Sequence, residues 1–182
     1  MKILAIDPGN SESAWCVLEG GKPVAFGKEA NSEVLIRARR GWSPLDSGDL
    51  LAVEMIASYG MAVGREVFET CLWIGRYIEA WERRQGKFRL VYRKDVKLFH
   101  CETVRATDAN IRASLLDRFG PGREKAIGTK RAPGPLYGVK GDEWAALAVA
   151  LTVHGVVASP LGQMEALAEA RPVVRTADEV PF

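Results

Sequence analysis

Two short apolar runs, Ile3-Leu4-Ala5-Ile6 and Leu50-Leu51-Ala52-Val53, each end on a carboxylate, Asp7 and Glu54. An uninterrupted apolar run closed by turn formers such as Pro8, Gly9 and Asn10 is the pattern of a strand buried in a sheet. A carboxylate at the end of such a strand either caps the following turn or meets a cation or a set of N–H donors, because a charge that leaves water needs a partner. These two stretches constrain the chain most, and the remaining elements are read around them.

Ser13 to Leu18 reads as a second strand, Gly20-Gly21 as a tight hairpin, and Lys22 to Gly27 as a third strand. Asn31 to Arg40 has helical composition, with Asn31 as N-cap, Val34 and Leu35 inward, and Arg37, Arg39 and Arg40 outward; Pro44 and Ser47-Gly48 end it. After Glu54 comes a loop, Ile56 to Gly60, carrying Ser58 and Tyr59. A long helix from about Ala62 to Arg84 follows, its apolar stripe read as Val63, Val67, Cys71, Ile74 and Ile78, with Gly86 as its stop. Phe88 to Tyr92 is a further strand, with Arg93, Lys94 and Lys97 at its end. Thr107 caps a helix marked by Ile111, Leu115 and Leu116 that stops at Gly120.

From Arg118 to Lys140 the cations Arg118, Arg123, Lys125, Lys130, Arg131 and Lys140 face only Glu124, amid glycine and proline, which predicts a mobile basic loop. Asp142 stands directly before an Ala-rich apolar helix, Trp144 to Val153. The order of hairpin strands, then alternating helix and strand, then helices, predicts an α/β fold: a mixed sheet with helices on its faces. One domain over residues 1–158 is expected, followed by a loosely ordered tail, 159–182, with a short helix from Met164 to Ala170.

At 182 residues the chain can bury a core without staples, and a net charge of +2 makes nucleic-acid binding a matter of local clustering. Cys16, Cys71 and Cys101 are widely spaced, without a CxxC or a neighbouring histidine set, and read as reduced thiols. No run approaches the roughly 18 apolar residues of a membrane span, and a cytoplasmic protein is expected.

Asp7 and Glu54 end separate strands joined by a crossover, so they can lie side by side at the sheet edge where α/β proteins build sites, and Asp142 can be delivered to the same edge. Two carboxylates about 4 Å apart repel by roughly 4 kcal/mol at an effective dielectric near 20. Three together call for a cation, and oxygen-only donors favour a hard one, Mg²⁺ or Mn²⁺.

The stretches ILAIDPGNSESAW, LLAVEMIASYG and KGDEWAALAVALTV, in that order, resemble the RuvC-type Holliday junction resolvases of the ribonuclease H-like superfamily, particularly the short phage-encoded members. The likeness covers roughly Met1 to His154. It implies a five-stranded mixed sheet and a homodimer, which would hold a four-way DNA junction and nick two strands symmetrically with two divalent ions. By motif position Asp7, Glu54 and Asp142 become catalytic metal ligands. Members of the family carry a further acid or histidine one helical turn beyond the last-helix acid, where this chain has Ala145. Glu143 is the candidate to substitute, although one residue turns a side chain by about 100° around a helix.

Arg93, Lys94, Lys97, Arg123, Lys125, Lys130, Arg131 and Lys140 are candidate DNA contacts, and Tyr59 a candidate stacking platform for an unpaired base. Trp73, Trp81 and Trp144 read as core or dimer contacts, and Gly64 and Gly75 as room for a partner helix. His100 and His154 read as structural. Two other functions compete: a junction-binding protein without cleavage, and an actin-like ATPase fragment, whose fold opens on a similar loop but needs a second such domain.

Overall fold

Strand β1 (Lys2–Pro8) is the middle strand of a five-stranded sheet of order β3-β2-β1-β4-β5; the computed structural model describes residues 1–42, 49–58 and 60–158. Strands β2 (Glu12–Glu19) and β3 (Lys22–Ala30) continue from β1 as an antiparallel meander, whereas β4 (Leu50–Met55) and β5 (Lys87–Tyr92) run parallel to it. Gly20 and Gly21 both take positive φ, 56° and 78°, as a two-residue hairpin turn demands. The β2–β3 ladder is not regular: its register shifts between Val17 and Leu18, leaving Val24 as an extra residue on β3.

Both faces of the sheet are covered, which is why β1 is apolar without alternation. Leu4 and Ile6 meet α1 (Asn31–Arg40) and α2 (Arg65–Glu82) through Val34, Leu35, Ile74, Tyr77 and Trp81. Ile3 and Ala5 meet the opposite layer, α3 (Arg93–Cys101), α4 (Asp108–Phe119) and above all α6 (Glu143–Ala158). Helix α6 is buried almost all round, and its alanines let it lie close to the sheet.

Several local expectations are corrected. Asn31 is the first helical residue of α1 and not its cap, which is Ala30 without a side-chain bond. The Asn31 side chain is instead buried and donates to the Gly9 carbonyl at 2.9 Å while accepting the Ser13 hydroxyl at 2.7 Å; the Tyr77 hydroxyl completes the network, 3.1 Å from Ser13. Helix α2 starts three residues later than expected, leaves Val63 exposed, and packs through Thr70, Ile74, Tyr77, Ala80 and Trp81. Tyr77 and Thr70, each with a polar tip satisfied, complete a stripe that a purely apolar reading mislays. Arg93, Lys94 and Lys97 lie within α3, a helix the sequence reading lacked; Asp95 starts it by accepting the Tyr92 N–H.

The basic stretch is not a free loop. Arg118 belongs to α4, and the short α5 (Arg123–Ala126) follows. Ile127 and Ala126 carbonyls accept the Gly134 and Leu136 N–H groups at 2.8 Å, and Ala126 and Leu136 are fully buried. Two apolar anchors in the core hold this excursion down while its cations stay outside. Thr107 caps α4 as expected. The three cysteines are free thiols. Among the described residues no helix is long and apolar enough to cross a membrane. Pro44, Ser47, Gly48, Tyr59 and the segment 159–182, with the helix expected there, lie outside the described residues.

Asn31→Ala removes the donor to the Gly9 carbonyl and one of the two partners of the Ser13 hydroxyl, so it is expected to cost about 1–3 kcal/mol. In a chain of this length that lowers the thermal midpoint by roughly 2–4 °C per kcal/mol. Thermal or urea unfolding checks it.

Candidate metal centre

The last paired residues of the parallel β1–β4 ladder are Ile6 and Val53. One step further brings Asp7 beside Glu54, on strands about 4.8 Å apart. The period of two puts both on the face of Ile3, Ala5 and Ala52, the face that α6 covers. The two carboxyls share a hydrogen bond. Burial first, then the charges of Glu54 and Asp142, push Asp7 up to about 7. Burial also raises Glu54, with the Arg93 guanidinium opposing it.

The backbone beyond Asp7 is fixed by the Asn31 network described above. Gly9 donates its N–H to the Glu12 carbonyl at 3.0 Å, and a Cβ on Gly9 would collide with that carbonyl, so only glycine closes this turn. A cleft of about 320 Å³ opens beside it, lined by Asp7, Asn10, Ser11, Glu12, Lys28 and Asp142. Asp142, just ahead of α6, thus reaches the same edge as the strand acids. Its carboxylate is 57% exposed and lies 2.9 Å from the Lys28 ammonium, which is also 3.4 Å from Glu12.

Glu143 is engaged elsewhere. It is buried, accepts the Lys140 N–H at 2.8 Å, and with burial helps push the Cys16 thiol up to about 12. Its one-residue offset from Asp142 turns it into the core, where it ties off the start of α6. Ala145, at the position of the family's further acid, lines a small cavity of about 100 Å³ together with Arg93, Asp108, Arg112 and Asp142.

Arg93 is drawn into the centre: one end of its guanidinium is 3.6 Å from Glu54 and the other donates to Asp108. Lys94, Arg123, Lys125, Lys130, Arg131 and Lys140 are exposed and Lys97 half-buried. Tyr59 lies outside the described residues. His100 bonds the Ala148 carbonyl within the α3–α6 packing, and burial holds its pKa below the ordinary value. Lys28 and Asp108 escaped the sequence reading. For Lys28 the signal was hidden in the register: Asp7 faces Ala14, and Ala14 faces Lys28, across the sheet.

The donor set suits a hard divalent cation: the adjacent carboxyls offer oxygen donors whose mutual repulsion an ion would relieve. As placed, no three acid, histidine or cysteine side chains among the described residues converge on one ion position; Asp142 is turned to Lys28. A five-stranded mixed α/β sheet carrying acids at the ends of its first and fourth strands and just ahead of its last helix is thereby defined.

No protein-family model matches the sequence, and no curated protein matches it. Solved structures do match. Thermus thermophilus RuvC superposes with a TM-score of 0.58 at 16% identity, over 85% of this chain and 93% of that one. T. thermophilus RuvC in complex with a Holliday junction substrate superposes with 0.56 at 15% identity, over the same shares. The chain has the RuvC-type fold.

The raised Asp7 pKa carries a sign. Below about pH 4 the carboxyl is protonated in both folded and unfolded chains; between about 4 and 7 only the fold retains the proton, so stability declines across that window and is level above it. Asp7→Asn is therefore expected to stabilise the ion-free protein at pH 8, by roughly 1–3 kcal/mol, and to change little at pH 4. Denaturation at the two pH values, with chelator present, checks it.

Proposed function

We propose that this chain is a structure-selective endonuclease that resolves four-way DNA junctions by metal-dependent hydrolysis of phosphodiesters. The observation that carries the reading is the Asp7–Glu54 carboxyl pair at the ends of adjacent parallel strands, with Asp142 at the same edge. The RuvC-type fold supports it, since one protein of that fold is seen with a Holliday junction substrate. Asp7, Glu54 and Asp142 are the proposed ligands. Two bound divalent cations, Mg²⁺ with Mn²⁺ as substitute, would supply the charge that activates water and stabilises the leaving oxygen. Asp7 would bind as the carboxylate, and the cleft beside Gly9 and Asn10 would admit the scissile phosphate.

The exposed cations Lys94, Arg123, Lys125, Lys130, Arg131 and Lys140, with Lys97, are proposed phosphate contacts, which set register on the duplex without reading sequence. Tyr59 is the proposed stacking residue. Symmetric nicking needs two centres, hence a homodimer, and the outward stripe of α2 suits its interface: Phe68 and Leu72 are 65% and 64% exposed, and Gly75, next along the stripe, leaves open space. A second reading, junction binding without cleavage, is favoured by Glu143 capping Lys140 and by Ala145, which leave α6 with Asp142 as its one acid at the cleft.

Nicking of a synthetic four-way junction in Mg²⁺ decides between them. Wild type is expected to cut, and Asp7→Asn to lose at least a hundredfold in rate while binding the junction as well or better, since it removes both a ligand and a charge that repels phosphate. Junction binding without any nicking by wild type establishes the second reading; more than a tenth of the rate surviving in Asp7→Asn overturns the site. For the dimer, Leu72→Glu places a charge on an exposed apolar stripe without touching the core. Sedimentation is expected to show a dimer for wild type and a folded monomer for the variant.

A further inference from the structure

Each of the two outer carboxylates of the centre is held by a cation of the protein itself, and each of those cations is also held by a second acid that stands outside the proposed ligand set. Lys28 bridges Asp142, at 2.9 Å, and Glu12, at 3.4 Å. Arg93 bridges Glu54, at 3.6 Å, and Asp108. The two bridges come from opposite sides of the cleft: Lys28 from β3, Arg93 from the first residue of α3. The guanidinium fork has two ends, so Arg93 can release Glu54 without leaving Asp108, and the long lysine stem gives Lys28 the same freedom toward Glu12.

We propose that Lys28 and Arg93 are positioning residues that occupy the outer carboxylates until a divalent cation binds, and that Glu12 and Asp108 receive them when it does. The proposal rests on the cation-binding role given above to Asp7, Glu54 and Asp142. An ion entering the centre competes with the ammonium for Asp142 and with the guanidinium for Glu54. The receiving acids lower the cost of that displacement, because neither cation has to return to water unpaired. Ion affinity is then set by four side chains that never touch the ion. Without Glu12 and Asp108, Lys28 and Arg93 would hold their ligand carboxylates more tightly and the centre would load less readily.

Calorimetric titration of the full chain with Mn²⁺ tests this. Lys28→Gln is expected to tighten Mn²⁺ binding about two- to fivefold, the worth of an exposed ion pair, and Arg93→Gln by at least as much, because Glu54 is only 13% exposed. Glu12→Gln and Asp108→Asn are expected to weaken binding by similar factors. The cycle separates displacement from a general effect of charge: in the Lys28→Gln background Glu12→Gln loses most of its effect, and in the Arg93→Gln background so does Asp108→Asn. All four side chains are at least a quarter exposed, so the variants keep the core. Unchanged affinity in Lys28→Gln and Arg93→Gln, or acid substitutions that keep their full effect without the cation, overturns the inference alone. Mn²⁺ binding that is unaltered by Asp7→Asn instead overturns the metal centre on which it rests.

Discussion

Two carboxyl groups from neighbouring parallel strands are pressed together at the edge of this sheet, where burial and each other's charge resist their ionisation, and much of the molecule exists to keep them there. Asp7 and Glu54 are brought together by a ladder register that the apolar runs on both strands enforce, since a slip of one residue would exchange the two faces of each strand. Their burial and mutual repulsion are a standing cost, which raises both carboxyls and is relieved locally by the guanidinium of Arg93. The rest of the core must outweigh it, and the buried face of α6 against β1 and β2 is a main part of that core.

The buried Asn31–Ser13–Tyr77 network serves the same end from the other layer. Its polar groups sit between β2, α1 and α2, and through the Gly9 carbonyl they hold the turn that follows Asp7. A fully bonded polar cluster of this kind is more directional than apolar packing, so it can fix the exit angle of a strand that carries a functional side chain. The site is therefore braced from both faces of the sheet: by α6, which carries Asp142 at its head, and by the two helices beneath.

The sheet, its acids and the central helix were legible because each rests on a local signal: four apolar residues and a carboxylate, twice over, then an apolar helix preceded by Asp142. Thr107 and the Gly20-Gly21 turn were legible for the same reason, their chemistry being contained within a few residues. Asn31 was misread because capping and burial draw on the same amide, and only the tertiary position of Gly9 and Ser13 decides between them. The buried stripe of α2 was mislaid because Thr70 and Tyr77 face the sheet while Phe68 and Leu72 face outward, an arrangement that hydrophobicity alone inverts. Glu143 shows the limit for the site: its identity suggested a ligand, but its place in the helical turn sends it toward the Lys140 backbone. Lys28 and Asp108 were invisible because their meaning depends on partners 114 and 15 positions away in the chain.

The irregularity between β2 and β3 bears on how such a centre could change over time. Val24 is one residue more than a regular hairpin needs, and beyond it every β3 side chain is carried to the face opposite the one a plain ladder would choose. Lys28 meets Asp142 for that reason. Loss of a single codon in this arm would restore the regular ladder and send the Lys28 ammonium to the other side of the sheet, stripping a positive charge from the cleft without substituting any of its acids. The electrostatics of the centre are thus exposed to insertions and deletions in a hairpin that no comparison of the acids themselves would flag, and descendants of one ancestral chain could differ in their demand for cations while keeping all three carboxylates.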